Sequence, residues 1–212
     1  MSRSMRLRRA TVPLIAGLLL ALTGCGSDEP PADSGSSGEN GGAASADADK
    51  VSAAGVAFQA PEGWESLDPN DADLPAKQQA ELAKGLGLTP EQFQQTISGV
   101  DLFLVDGEGP QDGFLSNINV LAQPGALPDD AMLESQFAAI GAKVLEVSHT
   151  ETGAGDAAVV AYSLSVADRT IEGVSYLVDL GEEIVTVTVS TPDRGQSDKI
   201  GATIGDTLDK AA

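Results

Sequence analysis

The chain reads as an α+β protein built on an antiparallel sheet. Two observations predict this class. Four β-patterned runs follow one another between residues 144 and 191, joined by links of only a few residues. Helical patterns stand before and after that block instead of alternating with strands. Segregated strands and helices argue α+β, whereas regular βα alternation would argue a doubly wound parallel sheet.

Before the folded part come two segments of different character. Residues 1–24 carry Arg3, Arg6, Arg8 and Arg9 with no acid, and then an apolar run of 13 residues from Ala10 to Leu22. At about 1.5 Å per helical residue that run reaches roughly 20 Å, short of a hydrocarbon core of about 30 Å. It therefore reads as a signal peptide and not as a spanning helix. From Gly26 to Ala54 the chain is mostly Gly, Ser, Ala, Asp, Glu and Pro, with Val51 as its only large apolar residue. Such a stretch buries too little surface to offset its ordering entropy. Residues 25–54 are thus expected to form a disordered acidic tether, with a root-mean-square reach of roughly 30 Å. Residues 55–212 have the size of one domain.

The elements of that domain are read in order. Val56-Ala57-Phe58 is a short strand, which Pro61 and Gly63 terminate in a turn that folds Trp64 back onto the core. Leu74 to Leu86 has helical spacing, with Leu82, Ala83 and Leu86 on one face and Gly87 as its stop. Thr89-Pro90-Glu91-Gln92 is a capping box with proline at N1, opening a helix that runs to about Ser98. Val100 to Val105 is an apolar strand, glycines 107, 109 and 113 mark a loop, and Asn117-Ile118-Asn119-Val120 alternates. Asp129 to Ile140 is helical, with Leu133, Phe137 and Ile140 on one stripe. Then come the strands 144–150, 159–166, 170–180 and 184–191. In the last of these Val185, Val187 and Val189 alternate with Thr186, Thr188 and Ser190. Links such as Ala167-Asp168-Arg169 and Gly181-Glu182-Glu183 are short enough for hairpins, so these strands are antiparallel neighbours. Ile200, Ile204 and Leu208 form the apolar face of a final helix.

Leu22-Thr23-Gly24-Cys25, at the end of the leader, contains the only cysteine. These four residues resemble the lipobox of bacterial lipoproteins. The resemblance implies a thioether-linked diacylglycerol on Cys25, cleavage before it, and often further acylation, for example with palmitate, of the new amino group. The alternative is an ordinary secretory signal with an incidental cysteine. Arg8-Arg9 lacks the apolar pair of a twin-arginine signal, since Ala10-Thr11 follows it, so general secretion is expected. The expected location is the extracytoplasmic face of the cell membrane, with the membrane engaged through the Cys25 lipid. Once Cys25 is alkylated, no thiol remains for a disulfide, a metal or a nucleophile.

Charge excludes one class of partner. Removing the leader takes away four of the 12 basic residues and none of the 32 acids, leaving 8 against 32 and a net charge of −24. Such a surface repels phosphate backbones, so no nucleic-acid partner is expected. Abundant Ala, Gly and Asp with only six Lys point to a high-GC genome and, with the lipobox, to an actinobacterium.

The order of elements carries a second resemblance. The opening Phe58…Pro61-Glu62-Gly63-Trp64, the mid-chain Asn117-Ile118-Asn119-Val120, the meander ending Val185-Thr186-Val187-Thr188-Val189 and the terminal helix resemble the PsbP-like (Mog/PsbP/DcrB) fold. Within it, actinobacterial LpqN-type lipoproteins are the nearest likeness. The resemblance covers most of residues 56–212 and implies an antiparallel sheet flanked by helices on both faces. Members of this fold mostly bind or stabilise protein partners, and some photosystem members bind metal ions. They share no catalytic set to carry over.

A search for chemistry finds little. His149 is the only histidine, placed near a strand end on the parity of Leu145 and Val147. With no second histidine or free thiol it offers no zinc or copper site. It is the one candidate base for a Ser-His-acid triad, and no Gly-x-Ser-x-Gly elbow accompanies it. Asp68-Pro69-Asn70-Asp71-Ala72-Asp73 suggests calcium but lacks the glycine at position six and the glutamate at position twelve of an EF-hand loop. Gly107 to Gly113 has no lysine and no phosphate-loop pattern. The expectation is no catalytic residue, no metal and no cofactor: a non-enzymatic lipoprotein that binds or stabilises another envelope protein. The alternative is a carrier for a small or lipidic ligand, which needs a deep apolar cavity.

Overall fold

The computed structural model describes residues 50–67, 76–166 and 169–212. The leader, the lipobox, most of the tether, the Asp68–Asp73 segment and the first residues of the helix expected from Leu74 lie outside the described residues.

The fold is α+β and antiparallel, as its sequence patterns predict. The strands are β1 (Lys50–Ala53), β2 (Val56–Gln59), β3 (Trp64–Leu67), β4 (Leu102–Asp106), β5 (Asn117–Pro124), β6 (Ala142–Glu151), β7 (Asp156–Val166), β8 (Arg169–Asp179), β9 (Glu183–Thr191) and β10 (Asp209–Lys210). The helices are α1 (Ala76–Gly85), α2 (Pro90–Ile97), α3 (Asp130–Ala139) and α4 (Arg194–Thr207). A seven-stranded sheet runs in the order β3-β4-β5-β9-β8-β7-β6, and a small sheet runs β1-β2-β10. The block from β6 to β9 is the expected hairpin meander, paired antiparallel throughout. On its far side β9 pairs with β5, a neighbour more than fifty residues away in sequence, through register pairs such as Asn119↔Thr188.

Helices cover both faces of the large sheet. On one face Ile200, Ile204 and Leu208 pack with Val174, Tyr176 and Val178 of β8 and Val185, Val187 and Val189 of β9, joined by Val56 and Phe58 of the small sheet. On the other face Leu133 and Phe137 of α3 pack on Val160, Tyr162 and Leu164 of β7. Beside them Ala83 of α1, Leu86 just after it, and Phe93 and Ile97 of α2 pack on Phe103 and Val105 of β4. The helix starts follow local chemistry. Thr89 and Gln92 form the reciprocal capping box, and Asp129 and Asp193 each accept a backbone N–H at their helix starts.

Four features differ from the sequence reading, the first being that Leu208, expected on the final helix, is the extended residue that ends it and leads into β10. Lys50–Ala53, assigned above to the tether, is β1: it pairs with β2, and Val51 and Ala53 pack against the core. Trp64 does reach the core, but it does so as the first residue of a strand, β3, whose partner is β4. A β-bulge between Val144 and Glu146 breaks the expected parity of β6. Val144 and Val147 turn toward α3, while Leu145 stands 46% exposed.

Candidate functional site

The lipobox residues Leu22, Thr23, Gly24 and Cys25 and the acidic Asp68–Asp73 segment lie outside the described residues, so the structure places neither. His149 is described, on the exposed half of β6. Its Nε2 lies 2.8 Å from Asp130 Oδ1, with the two side chains 54% and 60% exposed. The pair ties the start of α3 to β6, across 19 positions of sequence. Among the described residues no group of three or more His, Cys, Asp or Glu is placed to hold a metal. No described helix is long and apolar enough to cross a membrane.

The glycine-rich loop after β4 is a structural device. Asp106 accepts the Glu108 N–H and the Gln111 amide, which folds the loop on itself. The Arg169 guanidinium donates to the Gly113 carbonyl. The two residues that follow then diverge, Phe114 entering the α3 cluster and Leu115 the α1–α2 cluster. One loop thereby closes the face between two helical units.

Beneath that closure lies a polar seam that sequence reasoning missed. Asn117, Asn119, Ser175, Thr188 and Ser190 are all buried on the face shared by α3 and the α1–α2 pair. Ser175 and Thr188 hydroxyls are 3.0 Å apart, and Asn117 Nδ2 donates to the Leu115 carbonyl. Tyr162 crosses the seam. Its hydroxyl is hydrogen-bonded to Ser190 and Ser175; burial raises its pKa above the ordinary value, and the two serines draw it partly back. The Ser116 hydroxyl and Asn119 Nδ2 find no hydrogen-bond partner among the described residues. The alternation in β5 and β9 was the available signal. A sheet covered on both sides buries its polar alternates as well as its apolar ones.

The second feature is a cleft on the opposite face. Helix α4 lies along β8, β9 and β2 because Gly201 and Gly205 let it approach closely. A Cβ at Gly201 would stand 3.1 Å from Val174 Cγ1, and one at Gly205 would stand 2.5 Å from the Tyr176 hydroxyl. In that position α4 leaves β6 and part of β7 uncovered. The resulting cleft, about 200 Å³, lies between Glu146 and Ser148 on β6 and Arg194, Asp198 and Ala202 on α4. Val159, Ala161, Val174 and Tyr176 form its base. Arg194 Nε donates to Asp198 Oδ1 at 2.8 Å. Its Nη1 sits 4.0 Å from Glu172 Oε2, close enough for attraction but too far for a hydrogen bond. Burial raises the Tyr176 phenol pKa, and the charge of Asp206 raises it further. At about 200 Å³ the cleft falls below the roughly 300–1,000 Å³ of small-molecule pockets.

No family model matches the chain, and no curated protein matches its sequence. Several solved structures are similar in shape, the following two among them. The solution structure of cyanobacterial PsbP (CyanoP) from Synechocystis is 14% identical; the match covers 74% of this chain and 87% of that one, at a TM-score of 0.43. A crystal structure from Bacteroides thetaiotaomicron is 12% identical at a TM-score of 0.43, over 74% of this chain. That match spans 46% of the Bacteroides chain, about half its length. Likeness of this degree assigns neither a family nor an activity.

Proposed function

We propose that this chain is an extracytoplasmic lipoprotein, anchored to the cell membrane by a lipid on Cys25, whose domain binds or stabilises another envelope protein and performs no catalysis. The observation that carries the anchor is Leu22-Thr23-Gly24-Cys25, directly after an apolar run too short to span. Residues 25–49 then serve as a tether that holds the domain off the lipid surface.

Support for a binding role comes from what the described residues bring together. The sole histidine is engaged with an exposed aspartate. The polar groups of the buried seam are hydroxyls and amides enclosed under a loop, and the buried carboxylate of Asp106 is taken up by the Glu108 N–H and the Gln111 amide. The PsbP-like kinship, and within it the LpqN type, rests on the motifs quoted above and points to an accessory role. The cleft beside α4 is too small for a lipid chain, so it lends the carrier reading no support.

The test is chemical cross-linking in native membranes, followed by purification of the full chain and mass spectrometry of bound proteins and lipids. A protein recovered in stoichiometric amount is the expected result. A bound lipid without protein would favour the carrier, and a hydrolase activity abolished by His149→Ala would overturn the non-enzymatic reading.

A further inference from the structure

The cleft between α4 and β6 has the chemistry of a docking groove. Its rim is acidic on both sides, with Glu146 on β6 and Asp198 on α4, both exposed. Its base is apolar, with Val159 half-buried on β7. Arg194 lines the same wall, with its Nε on Asp198 at 2.8 Å and its buried Nη1 turned toward Glu172 at 4.0 Å. The outer edge of β6 is bare: no described strand pairs with it, although the strand is ten residues long. Such an edge presents unpaired backbone donors and acceptors to any extended chain. The other edge of the sheet, β3, has four residues and offers much less. Glu146 and Ser148 belong both to the free edge and to the cleft lining, so edge and cleft form one surface.

We propose that this surface docks an extended segment of the partner protein, an inference that rests on the protein-binding reading above. The segment adds as a strand outside β6 and sends one long apolar side chain across β6 into the cleft. Lys or Arg beside that side chain meets Glu146 and Asp198. The volume fits: a cavity of about 150 Å³ holds a benzene ring, so about 200 Å³ admits one large side chain. Charge selects the occupant. With a net charge of −24 once the leader is removed, the chain steers a basic segment inward and repels both a second copy of itself and anionic headgroups.

The test places a photo-crosslinking amino acid at Ser148 of the full chain, in membranes of the cell that makes it. A control chain carries it at Gln94, exposed on α2. The expected result is a cross-link from Ser148 to a peptide with Lys or Arg within a few residues of the linked position. Ala202→Trp fills the cleft from an exposed helix position and should cut the yield about tenfold. Glu146→Lys, also exposed, should do the same by reversing the rim charge. Cross-links from Gln94 alone, a Ser148 yield unchanged in both variants, or a linked segment without cationic residues would overturn the docking site and leave the protein-binding reading standing. Absence of a protein cross-link from either position overturns that reading too.

Discussion

The ring of Tyr162 lies across Gly173, its directly paired neighbour on the next strand, in the space where a side chain at residue 173 would stand. The missing Cβ lets the phenol cross β8 and reach Ser190 on β9. On its other side the ring meets Phe137 of α3, with centroids 4.9 Å apart and planes tilted by 51°. One aromatic side chain thus links α3, three strands and the buried polar seam.

Gly173→Ala should therefore destabilise the domain by about 1–3 kcal/mol, the usual range for overpacking. Ordinarily the change would favour a strand interior, since Gly there is about 0.5–1 kcal/mol worse than Ala. In a Tyr162→Leu background the ring no longer spans residue 173, and the same change should become neutral or stabilising. Urea unfolding of the four chains measures this coupling. Equal effects of Gly173→Ala in both backgrounds would show that the ring is not what the glycine accommodates.

Alkaline pH should unfold the domain through its tyrosines. The chain has two, Tyr162 and Tyr176, and burial raises the pKa of both above the ordinary 10.0. The unfolded chain releases phenol protons near pH 10 while the folded chain retains them. Their stabilising contribution is therefore complete below that pH and is lost as pH rises toward the folded values. Tyr162→Phe should flatten the fall in stability between about pH 9 and about pH 11. Phenolate absorbance should appear together with loss of structure. A Tyr162 phenolate forming near pH 10 in a folded chain would contradict its burial.

Limited proteolysis should leave a fragment that begins near Lys50. The pairing of β1 with β2, and of β10 with β2 on its other side, makes Lys50–Ala53 part of the fold. Cuts are expected in residues 26–49, where composition offers no core. A stable fragment that begins at Val56 would mean β1 opens readily. Protection throughout 26–49 in the isolated chain would contradict the tether.

Much of the architecture was legible because it is local. The capping box at Thr89, the apolar stripe of Leu133 and Phe137, and the alternation of β7, β8 and β9 each declare themselves within a dozen residues. What escaped depends on distant partners. Lys50-Val51-Ser52-Ala53 has too little apolar content to read as a strand and becomes one only against β2. The bulge at Leu145 takes that residue off the face that spacing alone assigns it together with Val147 and His149. The alternation of the polar seam is local, but its burial depends on α3, the α1–α2 pair and the loop at Phe114 and Leu115, which lie far off in sequence. The cleft joins Glu146 to Ala202 across half the domain, and no window of sequence contains both.

The anchor on Cys25 is the central claim, and cell fractionation with labelled palmitate tests it most directly. The parent chain should sediment with membranes and carry the label. The Cys25→Ala chain should carry no label and leave the membrane fraction. A Cys25→Ala chain that stays membrane-bound like its parent would show that the lipid is not the anchor.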